Sequence, residues 1–413
     1  MKVQGSSPPR GRAPSLKPFA AAGVAALLAA CASTPTPVSP PPIGPQQPTV
    51  DPGRSVTSRD GVTPPFMAGR QIVRVGLLLP FSTRPQDAAA LYGAAELALF
   101  DHGDGNTLLI PRDSGANNTD AAAAADALMR DGADIIVGPV TREGVEGAAR
   151  VVRAQNIPVI GFSSDRTVGG DGVYLLSFQL EDEVGRIVSY AATRGVRSMA
   201  LLAPDNEYGR RVQSALRAQA AQSGVTVAIS ELYARTENDA ASAADRVAAA
   251  SRTTPVQAIL IAESGSVLRA IGPALVRSGV NTRAVRLLGT SAWAGGDAQR
   301  EPTLAGGWYV ASDPSLRTDF EGRYRNAFQT EPTRLSSLAY DAIALATLLA
   351  RDGGANGLNR RALERQEGFL GSDGVFRFRG DGSIERGLAI MEVRATGAAP
   401  VDPAPRRFTP AAS

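Results

Sequence analysis

Short apolar segments alternate with longer amphipathic ones from residue 72 to residue 288, which predicts strands and helices in alternation. The predicted strands are runs of three to eight mostly apolar residues, at 72–79, 108–110, 135–137, 158–160, 199–202, 225–229, 258–261 and 285–288. Between them, apolar residues recur at the i, i+3, i+4, i+7 spacing of one helix face, as at Val145, Ala148, Ala149 and Val152. Strands that are apolar throughout are typical of parallel sheets with both faces covered.

The alternation runs through one round and then starts again near residue 180. The first helix of the second round has its apolar face at Val184, Ile187, Val188 and Ala191. Because each round contains enough strands for its own sheet, the pattern predicts an α/β protein with two doubly wound parallel-sheet lobes. At 413 residues the chain is long enough for both lobes and for additional terminal segments.

Doubly wound folds bind ligands at the carboxyl ends of their strands, so the loops that follow the predicted strands are where a site is expected. These loops carry hydroxyls, carboxylates and aromatic rings. The candidate ligand contacts are Ser82, Thr141, Ser163, Ser164, Asp165, Tyr208, Glu263, Ser291 and Trp293. A serine or threonine before a helix can equally be its N-cap, and the two rings can equally pack in a core, so these alternatives stay open.

The charge of the chain is concentrated at its amino terminus. Residues 1–30 hold four of the basic side chains and no acid, so the net charge of +3 leaves the remainder at −1. No basic patch that would indicate nucleic-acid binding is evident. The single cysteine, Cys31, and the single histidine, His102, argue against zinc sites and against Cys-His or Ser-His-Asp catalysis. Without a G-x-G-x-x-G or P-loop sequence either, we expect a non-enzymatic protein that has no cofactor or metal.

The first 30 residues have the order of a secretory signal, with a basic start followed by an apolar run at 19–30. About a dozen apolar residues are too few to span a bilayer, which takes about 20. The run ends in Leu28-Ala29-Ala30-Cys31, which resembles the bacterial lipobox and predicts lipidation of Cys31. Ala32 stands where inner-membrane lipoproteins typically have aspartate, so we expect an anchor in the outer membrane.

Residues 31–70 are rich in proline, serine, threonine and glycine, as in the run at 35–42. Proline lacks a backbone donor and favours extended structure, so this segment is predicted to be a tether between the lipid and the lobes. Recognition of the prolines by a partner domain is the alternative interpretation.

Several short motifs, taken in order, resemble the type I periplasmic binding proteins of the leucine/isoleucine/valine-binding group. They lie at 75–80, 138–140, 157–160, 208–209, 338–346, 374–383 and 388–393, and the likeness covers about 72–395. The resemblance implies a hinge that the chain crosses three times. It implies lobe 1 at 72–179 and 310–351 and lobe 2 at 180–309 and 352–395. It also implies an amino-acid-like ligand between the lobes and an ABC permease as partner. The tail at 396–413, beyond the likeness, is predicted to be disordered.

The resemblance further implies roles for individual residues. Thr141 and Ser163 match lobe 1 positions that meet a ligand carboxylate, and Tyr208 matches a tyrosine of lobe 2. Two positions depart from the pattern, because Asp165 replaces a threonine and Ser291 replaces the glutamate that binds the ligand ammonium. An ionised Asp165 would repel a carboxylate and Ser291 cannot pair with an ammonium, unless Glu263 supplies the missing charge.

The chain is also similar to lipoproteins of the same fold that activate peptidoglycan synthases in the outer membrane, the penicillin-binding protein activators. The lipobox, Ala32 and the proline-rich tether suit that role as well as uptake. Two hypotheses therefore stay open: a periplasmic, lipid-anchored solute-binding protein, and an activator of a cell-wall synthase.

Overall fold

A computed structural model of the chain describes Pro64, Met67, 71–103 and 105–409. The predicted signal, Cys31 and all of the predicted tether except Pro64 and Met67 lie outside the described residues. In that described part, no helix combines the length and the apolar character needed to cross a membrane.

The first lobe is built on a sheet of five parallel strands. Its elements in chain order are β1 (Val73–Leu79), α1 (Pro85–His102), β2 (Thr107–Asp113), α2 (Asn118–Arg130), β3 (Ile135–Val137), α3 (Arg142–Val152), β4 (Val159–Gly161) and β5 (Val173–Leu175). The strand order is β2-β1-β3-β4-β5, and every adjacent pair is parallel. The predicted covered parallel sheet is therefore confirmed for this lobe.

The second lobe repeats the arrangement. Its first elements are α4 (Leu180–Thr193), β6 (Ser198–Pro204), α5 (Glu207–Ser223), β7 (Thr226–Tyr233), α6 (Glu237–Ala250), β8 (Ala258–Ile261), α7 (Gly265–Arg277), β9 (Arg286–Gly289) and β10 (Trp308–Ala311). The α-helices and strands that follow in the described residues are α8 (Pro314–Phe328), α9 (Ser336–Gly353), α10 (Arg360–Leu363), β11 (Phe369–Gly371), β12 (Gly374–Phe378), β13 (Ile384–Arg386), β14 (Ala389–Arg394) and β15 (Gly397–Asp402).

The sheet of the second lobe has seven strands in the order β15-β14-β10-β9-β8-β6-β7. Its strands from β7 to β10 are parallel, whereas β14 and β15 are antiparallel additions at one edge. Side chains alternate between the two faces, since Ala200 and Leu202 of β6 belong to one hydrophobic core and Met199 and Leu201 to another. This is the packing expected of a strand that is apolar at every position.

Between residues 71 and 402 the chain crosses between the lobes three times, near 176–179, 312–313 and 387–388. Leu175 ends the first sheet and Leu180 packs in the second lobe, while Phe320 of α8 returns to the first core. At the third crossing, Ile384 belongs to the core of the first lobe and Ala389 to that of the second. The three-crossing arrangement agrees with the fold that the sequence predicted.

Three boundaries differ from the prediction. Residues 310 and 311 belong to β10 in the second lobe, because β10 pairs with β9 and β14. Most of 352–388 packs with the first lobe, where the rings of Tyr174 and Phe378 lie 5.1 Å apart. The strand β15 occupies 397–402, where a disordered tail was expected, because a turn at 395–396, followed by Gly397 with positive φ, lets it pair with β14.

Candidate ligand-binding cleft

A cleft of about 500 Å³ lies between the strand ends of the two lobes. Both lobes and the first crossing contribute to its lining, which consists of Ser164, Phe178, Leu180, Glu183, Pro204, Asn206, Tyr208, Arg211, Arg235, Glu263, Ser264, Ser291, Ala292 and Arg334. A second recess, of about 610 Å³, shares Ser164 and Arg211 with the cleft and continues past 162–167 of the first lobe. The position agrees with the rule that doubly wound sheets bind ligands at their carboxyl edges.

Glu183 supplies one buried carboxylate of the cleft from the first turn of α4. It accepts hydrogen bonds from the backbone N–H of Ser291 at 3.0 Å and from the Ser291 hydroxyl at 2.7 Å. Burial raises the pKa of Glu183, and the nearby Arg334 opposes that shift. The position of Ser291 is therefore not without a carboxyl group, since that of Glu183 lies directly behind it.

Arg334 reaches this carboxylate from the opposite lobe, from the loop between α8 and α9. One of its terminal N–H groups donates to the Ser291 hydroxyl at 3.0 Å and lies 3.5 Å from the Glu183 carboxylate. Its guanidinium carbon lies 4.7 Å from the centre of the Phe178 ring, over which Arg386 also packs at 4.8 Å. Cation–π contact with Phe178 thus orients Arg334 across the cleft.

Glu263, two residues after the end of β8, supplies the second buried carboxylate. It accepts hydrogen bonds from the Arg235 guanidinium at 3.0 Å, the Tyr233 hydroxyl at 3.2 Å and the Ser264 backbone N–H at 2.9 Å. Burial, together with the charge of Glu263, raises the pKa of Tyr233, so its hydroxyl stays protonated and can donate. Glu263 was expected to supply the charge of the missing glutamate to a ligand, but its carboxylate is already paired with Arg235.

Tyr208 lies in the first turn of α5, which Asn206 caps by accepting a hydrogen bond from the backbone N–H of Gly209. The hydroxyl of Tyr208 is 2.8 Å from that of Thr290. Burial raises the pKa of Tyr208 to about 12, because an ionised phenol would be poorly solvated there. Tyr208 therefore presents a neutral hydroxyl at physiological pH.

Asp165 lies in the adjoining recess, where protein groups already compensate its charge. It accepts hydrogen bonds from the hydroxyl and backbone N–H of Thr167 and forms an ion pair with Arg142 at 3.0 Å. These hydrogen bonds, with the charge of Arg142, lower the pKa of Asp165 and keep it ionised. The repulsion expected between Asp165 and an anionic ligand is thus offset by the adjacent arginine.

The structure brings four of the predicted residues into the cleft, namely Ser164, Tyr208, Glu263 and Ser291. Ser163 and Asp165 line the adjoining recess instead. The hydroxyl of Thr141 accepts a hydrogen bond from the backbone N–H of Gly144 and so caps α3. Of the two roles left open for Thr141, ligand contact and N-cap, the structure shows the N-cap. The exposed Ser82 lies outside both cavities, with its backbone N–H bonded to Asp113.

Trp293 corrects the prediction, because its indole is buried in the core of the second lobe and does not line the cleft. Its ring N–H donates to the carbonyl of Ile261 at 3.1 Å. Gly289 makes room for the ring, since a Cβ at that position would lie 2.3 Å from it. Of the two interpretations left open for Trp293, core packing is the correct one.

Sequence reasoning missed Glu183, Arg235 and Arg334. Glu183 shares a helix face with Ile187 and Tyr190 at the i, i+4, i+7 spacing, which places it on the buried side of α4. Arg235 follows β7, so the strand-end rule would have found it had this loop been included. Arg334 lies between two helices, where neither periodicity nor a strand end indicates a site.

The fold and this cleft together define a bilobal binding protein, and comparison with known proteins agrees. The sequence pattern of the family described as "Periplasmic binding protein" matches residues 72–398. The chain therefore belongs to the periplasmic binding protein family. Among curated proteins, none matches the chain significantly.

Solved structures share the fold at low sequence identity. A putative branched-chain amino acid ABC transporter protein from Rhodospirillum rubrum is 17% identical, with a TM-score of 0.70 over 80% of this chain and 100% of its own. An ABC transporter substrate-binding protein from Desulfitobacterium hafniense in complex with Leu is 18% identical, with a TM-score of 0.56 over 80% and 99%. A solute-binding protein from Rhodopseudomonas palustris in complex with 3,4-dihydroxybenzoic acid is 17% identical, with a TM-score of 0.55 over 82% and 99%.

Proposed function

We propose that this protein is the solute-binding component of an ABC-type transport system and binds a small polar ligand, about the size of an amino acid, between its lobes. The observation that carries the proposal is the meeting of polar groups from both lobes in one cleft. Tyr208, Glu263 and Ser291 come from the second lobe, and Arg334 comes from the first. The solved relatives in complex with Leu and with 3,4-dihydroxybenzoic acid support a ligand of this size.

The proposed mechanism is closure of the lobes around the ligand. A ligand that contacts both lobes has a higher affinity for the closed arrangement and shifts the population toward it. Arg334 suits this role because it comes from one lobe and contacts Ser291 of the other. The closed form would then present a continuous surface of both lobes to a permease. No catalytic step is part of this proposal.

Thermal unfolding of the full chain, purified in mild detergent, tests the proposal against amino acids, aromatic acids and short peptides. A ligand present at 100 times its Kd adds about 2.7 kcal/mol to the free energy of unfolding, which raises the Tm measurably. Replacement Ser291→Ala is expected to weaken the binding of such a ligand about ten-fold, through loss of a hydrogen bond that orients the cleft.

Ser82→Ala is the matched control, because Ser82 lies outside both cavities. Equal effects of the two replacements on affinity would place the ligand elsewhere. If no compound of the three classes raises the Tm, binding of amino acids, aromatic acids and short peptides is excluded as the function.

A second candidate function, activation of a peptidoglycan synthase, has its own supporting observation. Among the described residues, side chains of the two lobes contact each other directly, as in the hydrogen bond of Arg334 with Ser291 and the ion pair of Arg166 with Asp182 at 2.7 Å. Such contacts oppose opening of the cleft. They therefore favour a function in which a partner protein binds the outer surface of the lobes. Co-purification of the full chain with either a peptidoglycan synthase or an ABC permease distinguishes the two functions.

A further inference from the structure

The two ion pairs of the cleft have the same orientation, with the glutamate inside and the arginine outside. The side chain of Glu263 is 2% exposed and that of its partner Arg235 is 53% exposed. The side chain of Glu183 is 9% exposed and that of Arg334 is 55% exposed. A molecule that enters the cleft therefore meets two guanidinium groups before it reaches either carboxylate.

Both carboxylates already have hydrogen-bond donors on each oxygen. One oxygen of Glu183 accepts from the Ser291 hydroxyl and the other from the Ser291 backbone N–H. One oxygen of Glu263 accepts from Arg235 and Ser264, and the other accepts from Tyr233. An ammonium group that approached these oxygens would first come close to the two exposed guanidinium groups, whose like charge repels it.

The two arginines keep donors for a ligand. A guanidinium has five N–H groups in a planar fork that matches a carboxylate. Arg235 uses some of its N–H groups on Glu263 and Ser264, and Arg334 uses one on Ser291. About half of each side chain stays accessible. Arg211, the third arginine of the lining, is instead held by both oxygens of Glu181.

The rest of the lining is suited to an apolar body. Leu180, Pro204 and Ala292 contribute apolar surface between the polar groups. The ring of Phe178 has two guanidinium groups packed over it, so it serves to position Arg334. The cleft thus combines outward-facing cations with a small apolar wall.

We propose that the ligand is a small organic acid that has no ammonium group, with its carboxylate held by Arg235 and Arg334 and its apolar body against Leu180, Pro204 and Ala292. This inference rests on the proposed solute-binding function and specifies the chemical class of the solute. Glu263 and Glu183 orient the guanidinium groups of Arg235 and Arg334 and need no contact with the ligand themselves.

A series of three probes of one carbon skeleton tests the proposal on the full chain. Leucine has both charged groups, 4-methylpentanoate has the carboxylate alone, and 3-methylbutylamine has the ammonium alone. Benzoate and benzylamine form a second matched pair. Calorimetric titration is expected to give the acids at least ten-fold lower Kd values than leucine, and no measurable binding of the amines.

Two variants assign the binding to the arginines. Arg334→Gln and the double replacement Arg235→Gln with Glu263→Gln are each expected to weaken binding of the acids at least ten-fold. The double replacement removes both partners and so leaves no unpaired buried charge, which keeps the fold intact. Arg210→Gln is the control, since Arg210 pairs with Asp205 on the surface outside the cleft and its loss should leave the Kd unchanged.

The outcomes separate the two proposals. Tight binding of leucine together with weak binding of 4-methylpentanoate would overturn the inference and leave solute binding intact. Binding of the amines, or acid binding that both arginine variants retain, would also overturn the inference alone. Failure of every probe to bind would count against the solute-binding function itself, and the inference would fall with it.

Discussion

Ser291 shows that a single residue of the cleft cannot be interpreted without its neighbours. From the sequence, its hydroxyl stands where the family's pattern has a glutamate, which indicates a lost charge. In the structure, Ser291 binds the carboxylate of Glu183, 108 positions away in the chain. A glutamate carboxyl group is present at this place, but it comes from another helix and faces an arginine.

Asp341 on α9 is a buried carboxyl whose charge should affect stability. One oxygen accepts from the backbone N–H and hydroxyl of Ser372, at 2.7 and 2.8 Å, and the other has no partner among the described residues. Burial, reinforced by the charge of Asp373, raises the pKa of Asp341 from 3.8 to about 7. Its environment therefore favours the protonated form.

The pH dependence of stability follows from this shift. Between about pH 4 and pH 7 the unfolded chain loses the Asp341 proton while the folded chain retains it, so the folded state binds more protons. A rise in pH through this window therefore lowers the contribution of Asp341 to the free energy of unfolding. Asp341→Asn removes the titration, so we expect the variant to lose less stability between pH 5 and pH 7.5 than the unmodified protein.

Urea unfolding at the two pH values measures this difference. Asp205→Asn is the control, because Asp205 is exposed and pairs only with the exposed Arg210 among the described residues. Identical pH slopes for the Asp341→Asn variant and the unmodified protein would show that Asp341 ionises normally in the folded state.

At the scale of elements, β1 shows how a strand and its covering helix are matched. All seven residues of the strand are buried. A Cβ at Gly76 would lie 2.9 Å from a methyl carbon of Leu128 on α2. Glycine therefore allows α2 to pack closely on this face of the sheet.

Gly76→Ala is expected to lower the free energy of unfolding by about 1–3 kcal/mol, because the added methyl overpacks the contact with Leu128. In a Leu128→Ala background the same replacement should cost less, since the space is then free. Gly322→Ala is the matched control. Nothing lies within 4 Å of a Cβ at Gly322 in α8, and alanine favours a helix by about 0.5–1 kcal/mol. Equal effects at the two sites, measured by urea unfolding, would contradict this explanation.

The elements that periodicity predicted are those with long apolar runs. The strands at 72–79, 199–202 and 258–261 lie within one residue of β1, β6 and β8 at nearly every end. The strand β5 is as short as β3 and β4, which were predicted, but it was missed because it follows a glycine-rich turn and no amphipathic helix precedes it. The segment from α10 to β13 was assigned to the wrong lobe, because nothing in its local pattern says which core Phe376 and Phe378 enter.

At the scale of the whole molecule, the predicted lipid anchor concerns residues outside the described ones. Cys31→Ser should remove the attachment site, so we expect the protein to move from the membrane fraction to the soluble periplasmic fraction. Ser33→Ala, two residues away, is the control and should leave the protein in the membrane. Retention of the Cys31→Ser variant in the membrane would contradict lipidation at this cysteine. Ala32→Asp tests outer-membrane sorting, with relocation to the inner membrane as the expected result.

The sequence alone determined the two α/β lobes and the carboxyl-edge position of the cleft, whereas the signal and the tether stay predictions. These features depend on local order, since a strand or helix face is specified by residues at most seven positions apart. Only the tertiary structure decided which charges meet in the cleft. Arg235 and Glu263 are 28 positions apart, Arg334 and Ser291 are 43 apart, and no local pattern specifies such pairs. Their geometry arises when two separately packed lobes bring their loops together.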